Sequence, residues 1–141
     1  MGQGFVSGYL GYLLGQANHA LYKNFDADVR QAGLQSIEWR ILATLSDATS
    51  ITITQLAQEV LAKQPTVTKA VQRMVVQDWL LLESDAVDHR RTLVGITAKG
   101  KALVAPLLLK AQAHEARVMQ ALGNTDVESL KLLLAKLARM T

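Results

Sequence analysis

The spacing of apolar side chains divides this chain into helices interrupted by one short β-like section. Aromatic and aliphatic residues recur around a long helix over 5–32. A second helix is predicted over 36–46, with Ile37, Ile41, Leu42 and Leu45 along one side. Ile51-Thr52-Ile53 is a β-like run, and 54–61 forms a third helix that Thr54 caps, its Leu56, Ala57, Val60 and Leu61 turned inward. Ala62-Lys63-Gln64 interrupts the pattern, and Pro65 suits the first position of a fourth helix that reaches Gln77. Two strands follow, over 79–83 and 92–96, with the polar, turn-like stretch 84–91 between them. Thr97 offers an N-cap for a helix over 98–122 that Pro106 is expected to kink, and Gly123 offers its C-terminal cap. Thr125-Asp126-Val127-Glu128 has the form of a capping box opening a last helix to Met140, striped by Leu130, Leu133, Leu134 and Leu137. The pattern predicts a mainly α protein with a small β-hairpin: six helices in all.

The first helix has a second pattern. Gly4, Gly8, Gly11 and Gly15 fall at i, i+4, i+7 and i+11, one narrow stripe, each costing about 1 kcal/mol of helix propensity against alanine. Close approach of another helix, as at a subunit interface, accounts for that cost better than a frayed first turn. The stretch 1–22 carries no charged side chain, but its polar residues and glycines argue for a buried helix and against a membrane span. It lacks the basic start of a secretory leader.

The fourth helix has an apolar face of Val67, Val71, Met74 and Val75, and a polar stripe of Thr66, Lys69, Ala70, Arg73 and Gln77. With the third helix and its short break it makes a helix-turn-helix pattern. Charge agrees with that reading. The segment 62–101 holds seven basic residues against four acids and so carries the whole formal charge of +3, while the remainder balances. Such an excess marks a face for a polyanion. Thr66, Thr68, Lys69 and Arg73 would project from a helix that fits the major groove. Half of the 141 residues are hydrophobic but only 5% are aromatic, so aliphatic side chains must fill the core.

The chain has no cysteine, which removes disulfides, thiolate metal sites and thiol nucleophiles, and suits a cytoplasmic protein. His19, His89 and His114 lie on different elements without ligand-spaced partners, so neither a metal site nor a cofactor is expected. Without a phosphate loop or a nucleophile constellation, the chain is not expected to be an enzyme.

At the hairpin, Asp88-His89-Arg90-Arg91-Thr92-Leu93-Val94-Gly95-Ile96-Thr97-Ala98-Lys99-Gly100 resembles the wing signature of the MarR family. That signature runs Asp-x-Arg, then an apolar strand ending in Leu-Thr, then x-x-Gly. Pro65-Thr66-Val67-Thr68-Lys69 resembles the start of the family's recognition helix, and Thr54-Gln55-Leu56-Ala57 that of its supporting helix. Three positions depart: Asp78-Trp79-Leu80 stands where the family usually has Gly-Leu-Val, Leu82 where a basic residue is common, and His89 where a second arginine is frequent.

The resemblance implies a winged helix-turn-helix lobe over 35–97, a dimerisation helix over 1–34 and dimerisation helices over 98–141. It implies a homodimeric transcription regulator, a repressor, on double-stranded DNA at a pseudo-palindromic operator. Its DNA-binding residues would be Thr54, Gln64, Thr66, Thr68, Lys69, Arg73, Asp88, Arg90 and Arg91, with Asp88 orienting Arg90 toward the minor groove. A small aromatic or anionic effector would bind among Tyr9, Tyr12, His19, Trp39 and Arg40. The rival reading is a winged-helix protein-interaction adaptor without specific DNA binding.

Overall fold

A computed structural model describes residues 4–140. By its contacts the chain divides into two compact units, Met1–Leu107 and Leu108–Thr141. The domain ranges expected above extend at both ends into residues 1–3 and 141, which lie outside those described. Among the described residues there are seven helices and three strands, in the order α1 (Phe5–Gly8), α2 (Leu10–Gln31), α3 (Ser36–Ser46), β1 (Ile51–Thr52), α4 (Ile53–Val60), α5 (Gln64–Val76), β2 (Leu80–Ser84), β3 (Thr92–Ile96), α6 (Ala98–Leu122) and α7 (Asn124–Ala138). The extra helix arises because the long first helix breaks at Tyr9, whose backbone is extended (φ −69°, ψ 130°).

That break also takes the four glycines off a single stripe. A Cβ at Gly4, Gly8 or Gly15 would meet nothing within 4 Å, and at Gly11 it would meet only the ring of Tyr9. Among the described residues, only the Tyr9 ring packs on any of them. Nor is this stretch buried within the chain: Phe5, Leu10 and Leu13 are exposed, and only Phe25 and Val29 of α2 enter the core.

The core of the first unit lies between α3, α4, α5 and the sheet. Ile41, Leu42, Leu45, Leu56, Met74 and Val94 are fully buried there, each worth about 1.5–3 kcal/mol of transfer free energy. The three strands are antiparallel in the order β1-β3-β2. Leu80 to Ser84 pair with Ile96 to Thr92, and Ile51 pairs with Val94 on the other edge. The hairpin is therefore anchored to the start of α4 through β1.

Three helix ends in this unit share one geometry, in which a residue one or two positions past the helix turns left-handed and its N–H and the next return to the last carbonyls. Gly33 (φ +81°) does this after α2, Leu61 (φ +57°) after α4 and Asp78 (φ +64°) after α5. Only the first is a glycine. Asp78 fills the family's glycine position and so keeps its backbone shape.

Several expected boundaries shift. α4 is capped by Thr52 and not by Thr54: the Gln55 N–H donates to Thr52 Oγ1 at 3.1 Å, and the Thr52 N–H donates to Gln55 Oε1 at 3.0 Å. This reciprocal pair moves the cap two residues earlier. α7 starts at Asn124 after Gly123 (φ +96°), without a side-chain cap, so Thr125 is already helical and its expected capping box does not form. α6 is continuous through Pro106, and the boundary between the two units falls just beyond it. Within the second unit Lys131 and Glu115 pair at 3.2 Å, and Val127 is the buried residue of α7. Leu130, Leu133, Leu134 and Leu137 remain exposed. No helix among the described residues is long and apolar enough to cross a membrane.

Candidate nucleic-acid interface

The start of α4, the start of α5 and the wing border one groove of about 500 Å³, lined by Thr52 to Gln55, Gln64 and Arg90 to Thr92. β1 and β3 bring the wing arginines to this place because Thr52 pairs with Leu93. Thr54, freed from capping, donates its hydroxyl to Gln64 Oε1 at 3.3 Å. Thr54, Gln64, Arg90 and Arg91, proposed from sequence, are thus together. No side chain caps α5, and Pro65 removes one of the donors at its start. The N–H groups left over are open to water or to a phosphate oxygen.

Asp88 fixes the wing arginine. It accepts from Arg90 Nε at 3.0 Å, from Arg90 Nη2 at 3.3 Å and from the Arg90 backbone N–H at 3.1 Å. Two parallel bonds set the plane of the guanidinium while its side chain stays 91% exposed. The Arg90 side-chain bonds, then its backbone N–H and the charge of Arg91, hold the Asp88 carboxyl below its usual value. Arg91 lies 3.9 Å from Asp85 across the wing loop.

On α5, Thr66 and Lys69 are exposed and Thr68 is half-buried. Arg73 turns back to the lobe: Nη2 donates to Gln35 Oε1 at 3.3 Å, and Nε lies 3.9 Å from the Glu38 carboxylate. Glu38 is buried and also accepts the Gln35 N–H at 2.8 Å, so Arg73 offsets a desolvated charge. Ala70, placed on the polar stripe by periodicity, is buried, and Gln72 is exposed instead.

The second half of the wing motif is scaffolding. Thr97 Oγ1 donates to the Asp78 carbonyl at 2.6 Å and accepts the Gly100 N–H at 3.0 Å, so it caps α6 and ties it to the end of α5. A Cβ on Gly100 would collide with the Trp79 carbonyl oxygen.

At the other end of α4 lies a cleft of about 640 Å³ between α2, α3 and α4. His19, Trp39 and Arg40 line it, as do Tyr22, Thr44, Glu59 and Leu61. Trp39 packs edge-on against Phe25, ring centroids 5.0 Å apart. Arg40 Nη1 donates to the Val60 carbonyl, the last of α4, at 2.7 Å. Its Nε is buried without a partner, an omission that costs about 1–3 kcal/mol. Tyr9 and Tyr12 do not reach the cleft: Tyr9 sits at the helix break against Phe5, and Tyr12 lies a turn before Gly15, where the lining begins.

The MarR family's sequence model matches residues 32–91. A crystal structure of a MarR family transcriptional regulator from Silicibacter pomeroyi is 37% identical, covers 96% of this chain and 97% of its own, and superposes with a TM-score of 0.85. The chain belongs to the MarR family. Its MarR-family fold is shared by NadR, solved in complex with 4-hydroxyphenylacetate, at 25% identity over 100% of this chain and 99% of that one, with a TM-score of 0.87. The HTH-type transcriptional regulator FarR of Neisseria gonorrhoeae is 25% identical over 89% of this chain and 86% of its own length. MarR-family proteins are DNA-binding transcription regulators and not enzymes, and this one is a regulator of that kind.

For a MarR-family chain, the cleft residues Tyr22, Glu59 and Leu61 were missed by sequence reasoning, although Tyr22 had a signal. It stands three residues after His19, on the same helical face. Leu61 had none, because its pattern assigned it to the inward face of α4, whereas it is left-handed and 87% exposed.

Proposed function

We propose that the chain acts as a homodimeric repressor on a pseudo-palindromic operator and is released by a small aromatic or anionic effector in the cleft of α2, α3 and α4. The observation that carries the DNA half is the Asp88-held Arg90, displayed beside Thr54 and Gln64 in one groove. Thr66, Thr68 and Lys69 would read or flank base edges in the major groove, and Arg90 and Arg91 would neutralise backbone charge. Arg73 supports the recognition helix from behind, through Gln35 and Glu38.

The dimer reading draws support from apolar surface. Phe5, Leu10 and Leu13 at one end of the chain, and Leu130, Leu133 and Leu134 at the other, are exposed. Patches of this kind call for a partner, and a second copy across a two-fold axis is the commonest one. On this reading 1–34 and 98–141 dimerise, 35–97 binds DNA, and the open glycines of the first helices receive the partner. The complex of NadR with 4-hydroxyphenylacetate supports the effector.

One experiment tests the whole reading: selection of a site from random DNA, then salt titration of affinity on that site and on unselected DNA, with sedimentation of the free protein. Two-fold symmetry requires half-sites centred about 34 Å apart. Arg90→Ala is expected to weaken binding to both DNAs and to reduce the salt slope by about 1. Thr66→Ala is expected to change preference at single half-site positions by about 1–3 kcal/mol. A monomer in sedimentation, or no selected site, overturns the reading, and salt-independent behaviour would favour the adaptor.

A further inference from the structure

We propose that Thr52 and Thr54 are positioning residues that turn two glutamines of the α4, α5 and wing groove N–H outward, so that the groove prefers hydrogen-bond acceptors to amino groups. The proposal rests on the DNA reading above and adds the chemistry of what the groove selects.

Each threonine occupies the oxygen of one glutamine. Gln55 Oε1 accepts the Thr52 backbone N–H at 3.0 Å and the Thr52 hydroxyl at 3.2 Å. That amide cannot flip and keep the cap, because Nε2 offers the backbone donor no lone pair. Gln64 Oε1 accepts the Thr54 hydroxyl at 3.3 Å. What both glutamines have left for the groove is Nε2, with two N–H donors each. Arg90 and Arg91 line the same groove from the wing, and a guanidinium has donors only. Four long side chains on three elements therefore present N–H groups to one space.

The consequence runs against the usual pairing of glutamine. Glutamine ordinarily reads adenine, giving Nε2 to N7 and taking the N6 amino group on Oε1. Here both oxygens are turned to threonines within the chain, so the amino groups of adenine and cytosine meet donors. Guanine N7 and O6, and phosphate oxygens, share the chemistry that remains: lone pairs without an N–H. Gln64 opens α5 and is exposed, which makes its Nε2 the donor to test. One exposed hydrogen bond favours one face of an amide about three- to tenfold, and that sets the scale of the preference.

The test uses the full chain with its site selected from random DNA, and Gln64→Ala marks the half-site position that Gln64 reads. The unmodified chain is expected to take guanine there and to bind about fivefold more weakly when adenine replaces it. Thr54→Val releases the Gln64 amide, and discrimination against adenine is expected to fall below about twofold. Thr54→Ser keeps the hydroxyl and is expected to restore it. Should Thr54→Val fail to fold, the base preference of the unmodified chain decides alone. If Gln64→Ala marks no base, a methylphosphonate moved along the site is expected to find one phosphate at which the unmodified chain loses about fivefold and Gln64→Ala loses much less; the acceptor is then that phosphate. Adenine or cytosine preferred at the marked position overturns the inference, as does full discrimination in Thr54→Val. So does a site at which neither base nor phosphate responds to Gln64. A chain that selects no DNA site would instead defeat the regulator reading itself, and this inference with it.

Discussion

The two ends of α4 are built on opposite principles. At its N-terminus Thr52 and Gln55 satisfy each other's backbone donors, β1 ties the start of the helix to the wing, and Asp88 holds Arg90 by two parallel bonds. At its C-terminus the backbone turns left-handed at an exposed leucine, and the arginine that caps the last carbonyl leaves one buried donor unpaired. The first end is preorganised: its charged groups are held in place by bonds within the chain. The second stores unfavourable free energy in a backbone angle and an orphan N–H, about 1–3 kcal/mol each. Rigid contacts favour affinity, whereas a marginal element is the kind whose population a bound ligand can shift.

The largest effect is expected where the rigid end is anchored. Gly100→Ala places a methyl group against the Trp79 carbonyl and the Ile96 side chain. Backbone cannot yield as a flexible side chain would, so the cost is about 2–3 kcal/mol, seen as a lower urea midpoint at unchanged slope. A loss under about 0.5 kcal/mol would mean that the junction of wing and α6 is looser than its bonding indicates.

Leu61→Gly probes the marginal end and has the opposite sign. Removing the Cβ relieves about 1–2 kcal/mol of left-handed strain, and the greater freedom of glycine in the unfolded chain takes back about 0.4–1 kcal/mol. Because Leu61 is exposed, little burial is lost. The net expectation is a gain of about 0.5 kcal/mol in urea unfolding. Asp78→Gly should gain less, since aspartate tolerates this conformation better than leucine. Destabilisation by Leu61→Gly would show that its side chain, and not its backbone, sets this turn.

These positions also show what the sequence could reveal. Periodicity placed α3, β3 and α6 at their observed bounds, because amphipathic spacing or alternation there is long enough to be unambiguous. It also found Thr97 as a cap and the wing as a hairpin. Helix starts were less legible. Thr52 and Thr54 are both good caps, and what decides between them is the reply from Gln55, together with the pairing of Thr52 to Leu93 across the sheet. Ala70 was misplaced because alanine carries almost no polarity signal. Arg73 joined the DNA-facing set because its charge was visible and its partners, Gln35 and Glu38, lie far away in sequence. In the groove between α4, α5 and the wing, Arg90 and Arg91 were legible because a contiguous motif carries them. The cleft was half legible: it joins three helices, and no local pattern records which faces meet.

The smallest effect belongs to the wing and concerns pH. Asp88 is half-buried, and its carboxyl is held below the ordinary value first by the Arg90 side chain, then by the Arg90 backbone N–H and by the charge of Arg91. A depressed folded-state pKa stabilises the pairing above the unfolded value, about 3.9, and that contribution fades as the pH falls through the folded value. The order of the Arg90 guanidinium should therefore persist unchanged from neutral pH to about pH 5 and be lost only in stronger acid. Carbon-detected titration of the Asp88 carboxyl is expected to give a midpoint below about 3.9. Arg90→Ala should raise that midpoint only part of the way, because the backbone donor and Arg91 remain. A midpoint at or above the ordinary value in the unmodified chain would mean that the wing arginine is not held in solution. The contrast between a fixed and a marginal end of α4 would then rest on Thr52 and β1 alone.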